Sequence, residues 1–371
     1  MVSSNLKIAL VITNLRGGGA EKAFLTLAAL LRRRGHDVHL FLLENIVEHV
    51  PDPTLQVHAL TKPGRAQAKG FLGKRMAASR LRRAFGQQEA GRAFDFTLAT
   101  LPYADEVVSL AGMPKVWHRI ANTLSAEIES LRQVSSSKAA RRLARYRRIY
   151  GAKNLIAVSH GVAEDLRQEL GLTDANIMPL YNPFDLDEIR RLAAEHPAGL
   201  PQELYVVHAG RFVPQKRHDL LFHAWRLAAL PHKLVLLTPP SPALDALIAA
   251  AGLAGSVIVA GFQQNPYPWI RGADALVLCS DHEGLPNVLI EALICGTPIV
   301  STDCPSGPRE IMTGALARFL VPAGDAQALA GALREAVADP LDLAGVDLAR
   351  FSADTVAAGY ESLPARWREP G

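Results

Sequence analysis

The sequence lacks long apolar runs, and its first residues do not lead us to expect a secretory signal. No apolar stretch approaches the roughly 18 residues that a membrane-spanning helix needs, which excludes a transmembrane protein. Residues 1–13 enter a strand-like run directly, without a basic region or a small-residue cleavage site. We therefore expect a cytoplasmic protein.

Cysteines and aromatic residues are also scarce. The chain has three cysteines in 371 residues, and aromatic residues make up 6% of it. Cys279, Cys295 and Cys304 show no Cys-x-x-Cys spacing and lie among apolar neighbours. We interpret them as reduced thiols in or near a core, because no Cys-x-x-Cys spacing indicates a metal or redox site. A length of 371 residues with 49% apolar residues is typical of a globular protein with two domains.

Positive charge is concentrated in the first half of the chain. Residues 1–180 hold 26 Lys and Arg against 15 Asp and Glu, a net charge of +11, whereas the remainder has −7. Much of the excess lies in residues 62–92 and 138–153. This pattern favours an anionic partner for the first half. Nucleic acid is not expected, because we find neither a binding module nor interleaved aromatic residues.

The second basic stretch has the pattern of an amphipathic helix. Leu143, Tyr146 and Tyr150 recur at helical spacing, while four arginines fall largely elsewhere on the helix, namely Arg141, Arg142, Arg145 and Arg148. Such a helix can lie on the anionic headgroups of a membrane. The alternative is a solvated helix face. On the first interpretation the protein is peripheral to the inner face of the cytoplasmic membrane.

Strand-like and helix-like segments alternate in two series, which predicts an α/β fold with parallel sheets. The predicted strands are 7–13, 37–44, 96–100, 115–120 and 154–159 in the first series, and 205–210, 233–238, 256–261, 275–280 and 298–303 in the second. The break between the series gives a first domain over 1–180 and a second over 181–351. In such folds ligands bind beyond the carboxyl ends of the strands, and between two domains the cleft is the natural site.

Residues 281–296, DHEGLPNVLIEALICG, are the most informative segment. Pro286 and Gly296 predict a helix of about ten residues that starts just after a strand. The free N–H groups at its start favour a phosphate. Glu283 lies before this helix and Glu291 inside it, so both carboxylates can accept hydrogen bonds from the hydroxyls of one sugar ligand. The alternative is that both carboxylates lie on the surface, although Glu291 has apolar neighbours and needs a partner.

Two other loops follow predicted strands. In GRFVPQKRHDLL, residues 210–221, Arg211 and Lys216 can converge on one pyrophosphate, whereas we expect Arg217 and His218 to face solvent. The loop LRGGGAE contains Gly18 and Gly19, which allow close approach to a ligand at a helix start. A plain tight turn explains that loop equally well.

Four blocks together, GGGAEK, GRFVPQKRHDLL, EGLPNVLIE and STDCPSGPREIM, resemble glycosyltransferase family 4, whose members are retaining sugar-nucleotide transferases of the GT-B fold. Glu283 and Glu291 match the Glu-x7-Glu motif of that family. The resemblance covers nearly the whole chain and is strongest to bacterial enzymes that extend lipid-linked oligosaccharides or lipopolysaccharide. It implies two Rossmann-like domains that face each other across a cleft, and a closing helix, 352–371, that crosses back to the first domain.

The resemblance also implies roles for individual residues. Arg211 and Lys216 would hold the donor diphosphate, Glu291 the ribose and Glu283 the donor sugar. The remaining donor contacts would come from backbone at Gly18, Gly19, Gly261, Phe262, Gly284, Leu285, Pro286 and Asn287, although Pro286 has no N–H. The implied reaction moves a hexose or N-acetylhexosamine, with UDP expected as the nucleotide, to a glycolipid acceptor without a metal or cofactor.

One position departs from the family. Many members have a histidine in the first domain after the fourth strand, where this chain has Thr100 or Tyr103. The nearest substitute is His118, expected at the carboxyl end of another strand, with Asp105 as a weaker candidate. An ordinary half-buried histidine is the alternative for His118. This departure supports one alternative function, a catalytically weak subunit that binds sugar nucleotide. A second alternative, independent of the departure, is a sugar-nucleotide epimerase or phosphorylase of the same fold.

Overall fold

The chain divides into two compact units, Met1–Pro183 with Arg350–Gly371 (unit 1) and Phe184–Ala349 (unit 2). The computed structural model describes residues 5–68, 70–89 and 91–369. The sequence places the domain boundaries at 180/181 and 351/352, a few residues from these divisions. Each unit is a parallel sheet with helices.

Unit 1 is built from alternating strands and helices. Its elements are β1 Lys7–Ile12, α1 Gly19–Arg33, β2 Asp37–Leu42, β3 Gln56–Ala59, α2 Phe71–Gln88, β4 Phe96–Thr100, α3 Pro102–Ala111, β5 Val116–Ile120, α4 Leu124–Val134, α5 Ser136–Tyr150, β6 Asn154–Ala157, α6 His160–Glu164 and β7 Asn176–Pro179, followed near the end of the chain by α14 Ala353–Glu361 and α15 Leu363–Arg366. The strands pair in the order β3-β2-β1-β4-β5-β6-β7, and every pairing is parallel.

The sheet of unit 1 has a core on each face. Ile8, Leu10 and Ile12 point to one side, where α1 and α14 pack, and Ala9 and Val11 point to the other, where α2 and α3 pack. Every residue of β1 is buried. A continuous apolar strand is what a parallel sheet with two covered faces requires.

Unit 2 has the same construction. Its elements are α7 Leu186–Ala193, β8 Tyr205–Ala209, α8 His218–Ala228, β9 Lys233–Leu237, α9 Pro242–Ala250, β10 Val257–Val259, α10 Tyr267–Arg271, β11 Ala275–Leu278, α11 Asn287–Cys295, β12 Ile299–Thr302, α12 Pro308–Ile311, β13 Leu320–Val321 and α13 Ala326–Ala338. Its parallel sheet has the order β10-β9-β8-β11-β12-β13. The predicted α/β fold with two Rossmann-like sheets is confirmed.

The order of strands reverses once in each sheet. In unit 2 the reversal lies between β8 and β11, which pair directly at Val206–Ala275 and Val207–Leu276. The connections after these two strands leave toward opposite sides, which opens a crevice at their carboxyl ends. The loops that follow β8 and β11 are the ones that carry Arg211, Lys216 and Glu283.

The three cysteines lie where the sequence predicts. Cys279 and Cys304 are buried, Cys295 is half-buried, and all three are free thiols. Burial raises the pKa of Cys279 to about 12 and that of Cys295 to about 12. These thiols are therefore protonated and inert at neutral pH.

Candidate functional site

Two loops of unit 2 are held together at the point where the strand order reverses. The backbone N–H of Asp281 donates to the carbonyl of Gln215 over 2.9 Å, and the side-chain amide of Gln215 donates to the carbonyl of His282 over 2.6 Å. The loop after β8 and the loop after β11 therefore form one surface. This surface lies at the carboxyl ends of the strands, where parallel α/β domains bind ligands.

Lys216 and Glu283 meet on this surface. The ammonium of Lys216 lies 2.5 Å from Oε1 of Glu283, and the hydroxyl of Ser280 donates to the same oxygen over 2.6 Å. Glu283 is 8% exposed. A carboxylate that accepts two such bonds is held in one orientation, and the lysine that it pairs with is held at the same place.

The loop after β12 supports the start of α11. Gly307 has φ +98°, and a Cβ atom there would lie 2.3 Å from Cδ of Pro286 and 3.2 Å from the carbonyl of Gly284. Only glycine fits both that backbone conformation and that close approach. The N–H of Glu283 also donates to the carbonyl of Pro305 over 3.1 Å. The segment with Gly284, Leu285 and Pro286 is thus buried and fixed against Pro305–Gly307.

Helix α11 begins at Asn287, with Pro286 as the residue before it, and ends at Cys295. This agrees with the predicted helix. Glu291 is buried on it, and the hydroxyl of Tyr267 lies 3.2 Å from Oε1 of Glu291. The sequence predicts that the Glu291 carboxylate needs a hydrogen-bond partner but does not identify it. The structure shows that Tyr267, which lies 24 residues away on α10, is such a partner.

The other predicted donor-site residues of unit 2 also follow the carboxyl ends of strands. Arg211 is exposed, next to Gly210 at the end of β8. Gly261 has φ +80° and follows β10, and the ring of Phe262 is 62% exposed. Strand β10 is separated from β8 by β9 in the sheet, so Gly261 and Phe262 belong to a different loop from Arg211.

His218 does not face solvent, and that prediction is wrong. Its ring is buried against His208 at 4.9 Å and Phe212 at 5.1 Å between ring centroids. Arg217 is half-buried and pairs with Asp219 and Asp281. The spacing of His218, Leu221, Phe222 and Trp225 along one face of α8 is a signal in the sequence that predicts burial.

In unit 1, His118 lies in the middle of β5 and not at its end, so its expected position is wrong. Its ring is 1% exposed. Nδ1 of His118 lies 2.9 Å from Oδ1 of the buried Asp105. The hydroxyl of Tyr150 donates to the other oxygen of Asp105 over 2.8 Å. We assign His118 no contact with substrate, because its surroundings enclose the ring.

The other candidates after β4 also have partners within unit 1. Thr100 donates to the carbonyl of Arg119 over 3.1 Å. The hydroxyl of Tyr103 lies 3.5 Å from the carbonyl of Ala68, and burial raises the pKa of Tyr103. Neither is a histidine-like proton donor at neutral pH.

The glycine loop of unit 1 is bordered by carboxylates. The N–H of Gly17 donates to Glu48 over 2.8 Å, and a Cβ atom at Gly18 would lie 2.3 Å from Oε2 of Glu21. A Cβ atom at Gly19 would have no atom within 4 Å. The carboxylate ends of Glu48 and Glu21 therefore lie beside Gly17 and Gly18, and both are ends of flexible side chains that can move aside. A donor contact at Gly18 and Gly19 stays a prediction.

Within the described ranges, the structure contains no cluster of three or more metal-binding side chains. The Asp-x-Asp sequence Asp185–Asp187 serves the backbone, since Asp185 accepts from the N–H of Glu188 over 3.1 Å and caps α7. Metal independence stays a prediction. No helix formed by the described residues is long and apolar enough to span a bilayer.

Two family models match successive parts of the chain. Residues 17–188 match "Glycosyltransferase Family 4", and residues 203–339 match "Glycosyl transferases group 1". The two matches fall largely on unit 1 and unit 2, respectively.

Several glycosyltransferases are similar to the chain in sequence. The chain is 28% identical, over 82% of its length and 83% of the relative, to N-acetylgalactosamine-N,N'-diacetylbacillosaminyl-diphospho-undecaprenol 4-alpha-N-acetylgalactosaminyltransferase from Campylobacter jejuni. It is 34% identical to the lipopolysaccharide core biosynthesis glycosyltransferase LpsE of Rhizobium meliloti, over 41% of this chain and 44% of LpsE. The Anabaena protein HepE, solved with UDP and glucose, has a TM-score of 0.67 at 20% identity, over 98% of this chain and 97% of HepE.

Proposed function

The chain belongs to glycosyltransferase family 4, and we propose that it moves a hexose or N-acetylhexosamine from a UDP-sugar to a lipid-linked or lipopolysaccharide-type glycan. The relative from Campylobacter jejuni is named for an undecaprenol-linked acceptor, and HepE was solved with UDP. The proposal rests mainly on one observation, that Lys216 and Ser280 both contact the carboxylate of Glu283 just before α11.

The diphosphate is assigned to Arg211, Lys216 and the start of α11. Lysine has three N–H donors and Lys216 uses one on Glu283, so the others can reach a phosphate oxygen. The guanidinium of Arg211 is exposed and can bind the same group through two parallel bonds. The helix start adds backbone N–H groups and the positive end of the helix dipole, with Pro286 as the one position that has no N–H to donate.

The two glutamates are assigned to hydroxyl groups. Glu283 binds the hydroxyls of the donor sugar, because it is fixed beside the group that holds the diphosphate. Glu291 binds the ribose hydroxyls, with Tyr267 fixing its orientation. Gly261 and Phe262 contact the base through their backbone, and a Cβ atom at Gly261 would have no atom within 4 Å.

The chemistry proposed is a front-face transfer that retains the anomeric configuration. The bond between the anomeric carbon and the β-phosphate oxygen breaks, and a bond to the acceptor hydroxyl oxygen forms on the same face. The proton of that hydroxyl goes to the leaving phosphate oxygen. Arg211, Lys216 and the start of α11 stabilise the charge that develops on the diphosphate, an effect that commonly supplies the largest share of catalysis.

The first test is thermal stabilisation by UDP, GDP, CMP and their sugar conjugates, with and without EDTA. A ligand at 100 times its Kd adds about 2.7 kcal/mol to the free energy of unfolding. We expect UDP and one UDP-sugar to raise the melting temperature by several degrees, with EDTA causing no loss. Glu291→Ala removes most of the shift, because it removes the proposed ribose contact.

Glu335→Ala is the matched control. Glu335 is a half-exposed carboxylate of unit 2 that pairs with Arg318, and its loss leaves the UDP shift unchanged. Stabilisation by GDP alone would overturn the assignment of UDP, and no stabilisation by any nucleotide would contradict a donor site. Turnover of a UDP-sugar without transfer to a lipid-linked acceptor would favour an epimerase, and binding without turnover would favour a binding subunit.

A further inference from the structure

Arg217, the residue that follows Lys216, has an unusual backbone conformation. Its φ and ψ are both +49°, in the left-handed region that glycine adopts freely and other residues adopt at a cost. Arg217 separates a 3₁₀ turn, Pro214–Lys216, from helix α8, and its N–H donates to the carbonyl of Pro214 over 3.0 Å. The direction in which the chain leaves Lys216 is therefore set at Arg217.

The side chain of Arg217 joins this turn to two other segments. Nε donates to Oδ1 of Asp219, in the first turn of α8, over 3.0 Å, and Nη2 donates to Oδ2 of the same residue over 2.9 Å. Nη1 donates to Oδ1 of Asp281, in the loop after β11, over 2.8 Å. A planar guanidinium makes these bonds at the same time, whereas a lysine ammonium does not reproduce the fork. Arg217 thus links the start of α8 to the loop that carries Glu283.

The segment 279–283 also contacts Lys216 directly. Sγ of the buried Cys279 lies 3.2 Å from the carbonyl oxygen of Lys216 and 3.5 Å from that of Arg217. The ammonium of Lys216 lies 2.5 Å from Oε1 of Glu283. Backbone and side chain of Lys216 are therefore both placed against this segment, and Arg217 is the charged link that holds the segment to the turn.

The exposure of these ion pairs indicates a role in geometry and not a large contribution to stability. The side chains of Arg217, Asp219 and Asp281 are 31%, 58% and 48% exposed, respectively. Ion pairs with this exposure add little to the free energy of unfolding, because water screens them. Each nitrogen of the Arg217 guanidinium already donates to a carboxylate, so its first task is to hold these two acids.

We propose that Arg217 is a positioning residue for Lys216. The ion pair with Asp281 keeps the loops after β8 and β11 at the spacing at which Lys216 reaches both Glu283 and a donor diphosphate. Asp219 holds the guanidinium in the orientation that points Nη1 at Asp281. The inference rests on the proposed function, since it names the residue that places one of the cations of the donor site.

The test is the Kd of UDP for the full chain, measured by isothermal titration calorimetry. Arg217→Lys keeps the charge and loses the fork, and Asp281→Ala removes one partner. We expect each to raise the Kd about fivefold, because Lys216 is no longer aligned with the diphosphate. Charge alone predicts no effect of the first variant and tighter binding by the second, which removes a negative charge from the same loop as the diphosphate site. Asp281→Asn keeps an acceptor oxygen for Arg217 and restores most of the affinity.

Two variants of the same helix are the matched controls. Ala229 also has a positive φ, +48°, and lies just after α8 at its other end, so Ala229→Gly changes a left-handed residue without touching the two loops. Arg226→Gln removes an exposed arginine of α8. Both leave the Kd of UDP unchanged. The melting temperature of every variant without ligand is measured in parallel, to separate misplacement of Lys216 from loss of the fold.

Hydrogen exchange without nucleotide gives a second measurement of the same link. The N–H of Asp281 donates to the carbonyl of Gln215, and we expect its exchange to rise about fivefold in Arg217→Lys. Its exchange stays unchanged in Ala229→Gly. Unchanged Kd and unchanged exchange in Arg217→Lys would overturn the inference, as would tighter binding of UDP by Asp281→Ala.

Failure of the donor site gives a different result from failure of the inference. If the unaltered chain does not bind UDP, the proposed function is wrong, and the exchange of the Asp281 N–H alone decides whether Arg217 holds the two loops together. If the unaltered chain binds UDP and Ala229→Gly weakens binding as much as Arg217→Lys does, α8 as a whole supports the site and the assignment to Arg217 is wrong.

Discussion

Two neutral imidazoles lie beneath the loop that carries Arg211 and Lys216. Nδ1 of His208 is 3.0 Å from the carbonyl of Val277, and a Cβ atom at Gly210 would lie 3.3 Å from its Nε2. Burial lowers the pKa of His208 to about 3, helped by the charges of His218 and Lys216. Burial and Lys216 lower the pKa of His218 to about 4. Because both imidazoles are neutral, they do not repel the ammonium of Lys216, which is positioned to bind an anion.

The same pair predicts how stability depends on pH. Because both pKa values lie below the ordinary 6.5, the unfolded chain binds protons that the folded chain does not, so stability is lost as pH falls from about 6.5 toward 4. His218→Leu removes one of these groups and reduces the loss between pH 6.5 and pH 5 by about 1.5 kcal/mol. Urea denaturation at both pH values measures it. His223→Gln replaces an exposed histidine on the same helix and retains the full loss of stability between the two pH values. An equal effect of both variants would contradict the prediction.

The central strands of both sheets and the edge strand β10 could be predicted from the sequence, whereas the edge strands β3, β7 and β13 could not. β1 and β8 are apolar and lie in the middle of their sheets. β3 has the sequence QVHA and is mostly exposed, and β7 ends at Pro179 on the other edge. An edge strand buries fewer residues, so its apolar pattern is weak. The sequence therefore does not predict β3 or β7. It predicts His118 at a strand end, and this is wrong because strand ends are the least certain feature of a sequence pattern.

Helix α14 is attached to the rest of unit 1 by a half-buried acid. Glu361 accepts from Nε of Arg34 over 2.6 Å and lies 2.9 Å from Nε2 of His36. Although burial raises its pKa, the bonds from Arg34 and His36 bring it below the ordinary value, so this stability is present above about pH 4.5 and lost as pH falls below it. Asp354 on the same helix also pairs with Arg34 over 2.8 Å but is 90% exposed.

The two acids of α14 form a matched test of burial. We expect Glu361→Ala to lower the free energy of unfolding by about 1–3 kcal/mol, because it leaves Nε2 of the buried His36 without its acceptor and removes one of the two carboxylates that pair with Arg34. Asp354→Ala changes it by less than about 1 kcal/mol, as for exposed ion pairs in general. Denaturant unfolding at neutral pH measures both. A loss with Asp354→Ala as large as that with Glu361→Ala would show that burial does not decide the contribution.

At the scale of the whole chain, unit 1 is discontinuous. Its sheet is formed before residue 184, but Val356, Tyr360 and Leu363 belong to the same core as Ile8 and Leu10. The sequence predicts that the end of the chain returns to unit 1 only through the resemblance of its last segment to a family. A short amphipathic helix carries no information about the sheet on which it packs. The contacts that decide it join residues more than three hundred positions apart.

A chain that ends at residue 349 tests this construction. Without α14, the face of the sheet lined by Ile8 and Leu10 loses Val356, Tyr360 and Leu363, each worth about 1.5–3 kcal/mol when fully buried. We expect hydrogen exchange to rise in β1, α1 and β2 and to stay unchanged in β8, β11 and α11, because unit 2 keeps all its residues. A chain that ends at residue 368 keeps α14 and α15, and its exchange matches that of the full chain. Unchanged protection of β1 in the shorter chain would mean that unit 1 is stable without its returning helix, and loss of protection in both units would mean that they unfold as one.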